Sequence, residues 1–409
     1  MPRSHNKLAK LCLLAGSCFS FMAHAEEIPE SFVPVRPHAM GGAMTAVAND
    51  ENAIWTNPAG ISRVRKARSR KTVNLIKVPN LILGANSKSK DFIESVSSGS
   101  NSNSLEQVAE QADQLGEKPF WAFAGAFPLI MFDMEDLPSA LGVYSGTTIR
   151  SVLSDSDKSL ANTEAISDLG GVYGLAFTDR SNRINFGIVT RYVARYAYED
   201  QVPIDEFSNV KSLQERLKSN SNKSTALAVD LGFMWTFADF WFPTIGVAVL
   251  NAPTGCRDDY LNPFSKTRQT VCGTVFKGDF ANPEAISTVD PTDIRYGFSL
   301  TPRLSNKLGA RLAIDVHHAA IVSGSKVYGL DGIDPIKLLH AGIEFFTGNP
   351  LLPSPFSFSL GLNQGYYTMG ASARLPYFSL DFSSFGRDIS ADASPKEDRR
   401  YMGGLSVDF

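Results

Sequence analysis

The chain has 409 residues, of which 43% are apolar, 20% charged and 11% aromatic. Charge is too low and aromatics too plentiful for a disordered chain, and four cysteines in this length exclude a disulfide scaffold. With 39 basic and 42 acidic residues, a net −3, there is no electrostatic footprint for nucleic acid.

Residues 1–25 read as a secretory signal. Arg3, Lys7 and Lys10 form the positive region, Leu11 to Ala23 a short apolar run, and Ala23-His24-Ala25 a small-x-small cleavage site. The run is too short for a spanning helix, which needs about 20 apolar residues. Cleavage removes three basic and no acidic residues, taking the balance from 39 against 42 to 36 against 42, a net −6. The expectation is an exported protein.

Residues 26–60 do not read as a strand. Met40-Gly41-Gly42-Ala43 opens a small-residue run to Asp50, and Asn52-Ala53-Ile54-Trp55-Thr56-Asn57-Pro58-Ala59-Gly60 follows. Small residues let backbone pack closely, Gly41-Gly42 permits conformations other residues avoid, and Asn57-Pro58 initiates a turn. A phosphate loop competes poorly, since there is no GxGxxG and no GKS or GKT.

Beyond residue 70 the apolar period is two. Fourteen strands are expected, near 71–79, 120–132, 140–152, 170–178, 183–198, 224–236, 241–251, 292–302, 307–319, 337–346, 355–363, 366–374, 376–386 and 399–409. Tyr296, Phe298 and Leu300 alternate with Arg295, Gly297 and Ser299, and Tyr401, Gly403, Leu405, Val407 and Phe409 with Arg400, Met402, Gly404, Ser406 and Asp408. No mature segment offers 18 uncharged apolar residues; Leu227 to Leu250, interrupted by Asp230, Asp239 and Pro243, reads as two strands with a tight turn at Ala238-Asp239.

A soluble sandwich also alternates. A membrane barrel is favoured by strands of about ten residues, the export signal, and strand-end tyrosines at 192, 196, 198, 366 and 367. Connections are long after the odd strands (80–119, 199–223 and 252–291 above all) and short after the even ones, as in a barrel with external loops and periplasmic turns; the link after strand eleven is the exception. The fold class is thus all-β, a fourteen-stranded antiparallel transmembrane barrel over residues 71–409.

Two long loops carry helical stripes, at Leu105, Val108, Ala109 and Ala112 and at Phe207, Val210, Leu213 and Leu217, read as helices packed over the rim or as a capture surface for a ligand or partner. Cys256 and Cys272 are expected to pair, closing a loop worth about 3 kcal/mol in the chain-entropy model. Arg191, Arg195, Arg295, Arg311 and Arg374 fall on lumen faces, as interior charges paired with Asp230, Asp315, Asp381 or Asp408 or as contacts for an anionic ligand.

An enzyme is not expected. Mature histidines occur only at 38, 317, 318 and 340, and there is no GxSxG elbow. No pair of His or Cys has metal-ligand spacing, so no metal or cofactor is assigned.

The N-terminal block resembles the signature of the FadL family of outer-membrane channels: Met40-Gly41-Gly42-Ala43 matches its glycine-rich approach and Asn57-Pro58-Ala59, followed by Gly60, its NPA motif. The terminal Phe409 is similar to the signal read by the barrel-assembly machinery. The resemblance implies a fourteen-stranded barrel in the outer membrane, with residues 26–70 folded back as a lumenal hatch. It implies passive uptake of hydrophobic small molecules, long-chain fatty acids by default, with release through a lateral opening into membrane lipid. PorV-like and TraF-like barrels share the NPA block. They imply an alternative, a barrel serving a secretion or surface-assembly partner at its external loops.

Overall fold

The computed structural model describes residues 27–28, 32, 34–64, 73–89, 119–134, 137–153, 160–203, 206, 212, 215–216, 219–262, 264–265, 267–278, 288–348, 354–390 and 395–409. The expected signal, residues 1–25, and both helical stripes lie outside them.

Fourteen antiparallel strands close into one barrel. They are β1 (Val73–Asn86), β2 in two pieces (Phe120–Ala126 and Leu129–Met134), β3 (Leu137–Leu153), β4 (Leu160–Thr178), β5 (Ile184–Pro203), β6 (Asn222–Thr236) and β7 (Thr244–Leu250). The second half comprises β8 (Asp293–Leu300), β9 (Leu308–Val316), β10 (Leu339–Thr347), β11 (Phe356–Asn363), β12 (Tyr366–Arg374), β13 (Phe378–Asp388) and β14 (Glu397–Asp408). Each pairs with its neighbours in sequence, and β1 pairs with β14, Leu83 opposite Gly403 and Ala85 opposite Tyr401. Closure leaves no edge, which is what a sheet needs where water cannot satisfy its backbone.

The alternation maps as the period predicts. Leu83, Leu141, Leu169, Leu227, Phe298, Ile314, Leu360 and Phe382 stand exposed on the outer wall, while Arg295, Arg311, Asp315 and Ser383 are buried within. An apolar exterior around a polar interior is the inverse of a soluble sandwich and is stable only against hydrocarbon. Among the described residues no helix is long and apolar enough to cross a membrane.

The structure shifts several expected boundaries. β1 runs on to Asn86 and β4 begins at Leu160, ten residues early, because Ala161, Thr163 and Ala165 alternate inward although too small to register as an apolar pattern. Tyr198 is buried rather than belt-forming, whereas Tyr192, Tyr196 and Tyr367 are exposed. The turn expected at Ala238-Asp239 spans 237–243, and Trp241 and Phe242 there take left-handed φ of 59° and 45°.

The connection 252–291 is not loop throughout. Gly255–Leu261, Arg268–Val275 and Val289–Pro291 form a small sheet with Ile321–Ser323 and Lys326–Tyr328 from the β9–β10 connection. Cys256 and Cys272 stand opposite each other in it and are disulfide-bonded, as expected. Lys277–Gly278 pairs with Ser224 and Thr225 of β6, tying the sheet to the end of the barrel that carries the long connections, the outer end.

Candidate functional site

Residues 34–64 lie inside the barrel and are almost wholly buried. Two short helices, α1 (Val35–Ala39) and α2 (Ala53–Thr56), and a 3-10 turn (Pro58–Arg63) are too short to be stable alone; the wall holds them. It does so by omitting side chains. Glycines occur in cross-strand pairs, Gly187 opposite Gly232, Gly246 opposite Gly297, and Gly342 opposite Gly361. A Cβ at Gly187 would stand 2.2 Å from the Pro58 carbonyl, one at Gly246 2.3 Å from the Thr45 oxygen, and one at Gly342 2.4 Å from that of Met40. The inner wall is thus moulded to the backbone of this segment.

The motif residues are the closest contacts. Asn57 donates from Nδ2 to the carbonyls of Thr45 (2.7 Å) and of Phe233 on β6 (3.1 Å), while its Oδ1 accepts from the Ala59 amide (3.1 Å). One amide thereby joins two parts of the segment to the wall and caps the 3-10 turn, whose first position is Pro58. Ala59 is fully buried, and Gly60 sits where a Cβ would be 2.6 Å from Ala48. Gly41 and Gly42 take φ of 66° and 89° and end α1; the Gly41 carbonyl is 2.8 Å from His340 Nδ1. Sequence singled out all six residues.

Ion pairs complete the attachment. Arg36 forks onto Glu344 of β10 (2.9 and 2.8 Å) and reaches Asp50 (2.6 Å). Arg311 shares Glu344 (2.5 Å), and Arg374 reaches Asp50 (3.1 Å) and Glu51 (3.4 Å). Lys77 bonds Glu51 (2.8 Å) and Ser406 (3.1 Å). Burial alone would raise the Glu51 carboxyl, but Arg374 and Lys77 outweigh it and hold the group below the usual carboxylate range; Glu344 and Asp50 likewise outweigh burial and hold Arg36 well above its ordinary value. The five arginines of the sequence reading are all ion-paired. Arg191 bonds an expected partner, Asp230 (2.9 Å); Arg195 bonds Asp168 and Asp290, Arg295 bonds Asp293, Arg311 bonds Glu344 and Arg374 bonds Asp50 and Glu51, while the expected Asp315 and Asp381 act on Arg295 and Arg374 through charge alone. Strand parity places a side chain on the lumen face but does not say which lumen charge it meets.

One part of the lumen is apolar. Phe32 lies with its ring 4.8 Å from that of Trp55, 5.8 Å from Phe123, 5.9 Å from Phe127 and 5.9 Å from Tyr144. The opposed glycines Gly125 and Gly146 leave the room: a Cβ at either would meet the Phe32 ring at 2.9 or 3.1 Å. Arg191 lies over Trp55 at 5.3 Å, held by Asp230 and Asn251. This ring-sized box was missed in the sequence, where Trp55 appears only within the motif and Phe32 in no pattern.

The wall is irregular beside the box. β2 breaks at Phe127-Pro128, and β1 beside it slips register against β14 between Lys77 and Asn80, around Pro79. Asn80 bridges the break, its carbonyl accepting from the Phe127 amide (2.8 Å) and its Nδ2 donating to the Phe127 carbonyl (3.1 Å). Pro79 and Pro128 bring no amide donors to this stretch of wall.

The histidines pack rather than cluster for chemistry. His38 stacks on Phe385, and His317 on His340, 3.9 Å apart. Among the described residues no group of three or more His, Cys, Asp or Glu could hold a metal.

A closed barrel of fourteen strands, apolar without and ionic within, is a transmembrane β-barrel of the outer-membrane type. No family model matches the chain, and no curated protein does. Among solved structures it is similar to the Pseudomonas putida toluene transporter TodX, at 11% identity over 94% of this chain and 99% of that one, with a TM-score of 0.51. It is likewise similar to a TodX deltaS2S3 mutant monoaromatic hydrocarbon channel, at 10% identity over 93% and 99%, with a TM-score of 0.52. At these identities the likeness is one of fold, and the fold is that of hydrocarbon channels.

Proposed function

We propose that the chain is an outer-membrane channel for passive uptake of hydrophobic small molecules, with the aromatic box as its lumenal binding site and residues 34–64 as the hatch. The observation that carries the reading is the Phe32 seat: a ring-sized apolar cage in the lumen, beside a break in the wall at Phe127-Pro128. A hydrophobe entering the box would exchange with Phe32 and leave sideways between β1 and β3, reaching membrane lipid without returning to water. The likeness in fold to toluene channels supports this. The finer assignment is to compact neutral hydrophobes over long-chain fatty acids, because Arg191 and Arg195, the cations nearest the box, are already engaged by carboxylates. A barrel serving a secretion partner is the second reading, and the exposed Leu261, Ile321 and Val322 of the external sheet are the surface it would use.

The test is uptake of radiolabelled toluene and oleate by cells lacking their own channels and expressing this protein. Toluene uptake above an empty-vector control, abolished when Asn57-Pro58-Ala59 is replaced by three alanines, supports the reading. Oleate uptake without toluene uptake would restore the fatty-acid assignment. Neither, with a folded surface-exposed barrel, would discard transport.

A further inference from the structure

One donor in the aromatic box goes unanswered. Trp55 is 3% exposed, and its Nε1 finds no hydrogen-bond partner among the described residues. An indole carries that one donor and no acceptor, so the whole polar capacity of the side chain is unspent. Buried donors are normally paired, and one left unmet carries its full desolvation penalty. The neighbours explain the orphan. Phe127 and Tyr144 stand edge-on to the indole, with ring centroids at 5.2 and 4.9 Å, and Phe32 is tilted against it at 4.8 Å. The Arg191 guanidinium over the indole, 5.3 Å away, is itself only a donor. Of these four groups the Tyr144 hydroxyl alone could accept, and it makes no bond to Nε1. Asn57, two residues further along the same segment, spends donor and acceptor alike on hydrogen bonds. The unmet donor is therefore a property of the box and not of a loosely fitted segment.

We propose that Trp55 Nε1 sets the substrate class of the box: a compact aromatic molecule carrying a neutral hydrogen-bond acceptor, such as an aryl ketone, aldehyde or ester, taken in preference to the plain hydrocarbon of the same shape. The inference rests on the uptake reading and narrows its substrate. Phe32 fills the seat as a benzyl group with no acceptor, which is why the donor beside it stays unmet. A ligand whose ring replaces that of Phe32 and whose oxygen accepts from Nε1 relieves the penalty, and a hydrocarbon in the same seat does not. The acceptor is a neutral oxygen and not a carboxylate. An ionised group would lose its water among Phe123, Phe127 and Tyr144, where Arg191 and Arg195 are already engaged by Asp230, Asp168 and Asp290. Trp55 thus acts as the specificity-determining residue of the seat, while the surrounding rings supply the apolar contact common to every ligand.

The experiment uses the full mature chain refolded in detergent micelles, with acetophenone and ethylbenzene as the probes. They share a shape and differ by a carbonyl in place of a methylene. Binding of each is measured by titration calorimetry. Water holds the ketone more tightly than the hydrocarbon, so the quantity read is the ratio of the two affinities, compared between wild type and Trp55→Phe. In the variant that ratio should shift about tenfold toward the hydrocarbon. A second measurement leaves the protein unaltered and decides alone if the variant fails to fold. With the indole nitrogens isotope-labelled, acetophenone should move the Trp55 N–H proton signal downfield and ethylbenzene should not, with Trp121, Trp235 and Trp241 as internal controls. An unchanged ratio or a stationary Trp55 signal overturns the inference, and toluene uptake in the cell assay would still carry the uptake reading. Binding of neither probe overturns it as well, by removing the box as a ligand site. A ratio and a signal that both respond, in a protein that takes up nothing, would keep the role of Trp55 and discard uptake alone.

Discussion

Arg36 and Glu344 are 308 residues apart in sequence and joined by two hydrogen bonds, from Nε and Nη2 to the two carboxylate oxygens, at 2.9 and 2.8 Å. A planar fork meeting a carboxylate edge-on fixes orientation as well as distance. The pair locks α1 to β10, and Asp50 on the other side of Arg36 locks the remainder of the segment to α1. Replacing Arg36 by methionine leaves Glu344 with Arg311 and Asp50 with Arg374, so neither carboxylate is stranded. Arg36→Met should therefore keep the barrel folded, with unchanged heat-modifiable migration in gels, and raise permeation of small solutes in a liposome-swelling assay about threefold or more. Unchanged permeation would show that the ion pair does not hold the segment in place.

The glycine pairs give a cleaner test, because the wall supplies its own control. Gly187→Ala must push Pro58 away, whereas Gly171→Ala meets nothing within 4 Å. The first should raise solute permeation and destabilise by about 1–3 kcal/mol, as overpacking does; the second should stay within about 0.5 kcal/mol of wild type. Equal effects would mean that alanine disturbs β-propensity rather than the fit of the segment.

Asn57 distinguishes a donor from a space-filler. Asn57→Ala loses the hydrogen bonds to Thr45 and Phe233, whereas Asn57→Asp sets a carboxylate against those same carbonyls. The aspartate variant should be the leakier of the two by single-channel recording, by about tenfold. The reverse order would assign the residue a role in shape alone.

Acid should release the segment late. Glu51 ionises below its ordinary value near 4.5 because Arg374 and Lys77 outweigh its burial, and Glu27 does so because Arg400 and Arg387 outweigh its own. A depressed carboxyl stabilises the folded state above its unfolded pKa, and that stabilisation fades only as pH falls below about 4.5 toward the lower folded value. Protease protection of residues 27–64 should hold from pH 7 to pH 5 and decline below. Release between pH 7 and pH 6 would point to the histidines instead.

Phe409 closes the ladder, its amide donating to the Ile76 carbonyl (2.9 Å) while its ring stays exposed. Phe409→Ala keeps the backbone pair and removes the ring. It should lower the amount of assembled barrel in cells severalfold yet leave refolding of purified protein in detergent unchanged. Loss in both settings would make the ring part of the fold rather than an assembly signal.

The barrel was legible because its rule is local: side chains at i and i+2 share a face, so Tyr296, Phe298 and Leu300 declare an outer wall whatever stands elsewhere. The turns of the lumenal segment were legible because Gly41, Gly42, Asn57 and Pro58 are residue types with few other uses. What stayed hidden depends on distance in sequence. Nothing in the sequence around residue 51 says that it will meet Lys77 and Arg374, and no pattern marks Phe32, because a lone phenylalanine needs Gly125 and Gly146 opposite it to have a seat. The external sheet was hidden for a related reason: its parallel pairing of Thr270, Val271 and Cys272 with Lys326, Val327 and Tyr328 joins two loops whose own sequences read as connections.

Lys77 stands on the first strand, touches Ser406 on the last, and holds Glu51 of the segment inside. The segment begins at the outer end, at Ile28 beside Tyr260 and Val271 of the external sheet, and passes into β1 from the opposite end, so a finished cylinder could admit it only by threading its beginning through the full height of the lumen. Closing the β1–β14 seam around a segment already in place avoids that passage, and Lys77 sits on that seam with bonds to Ser406 and Asp408 across it and one to Glu51 of the segment.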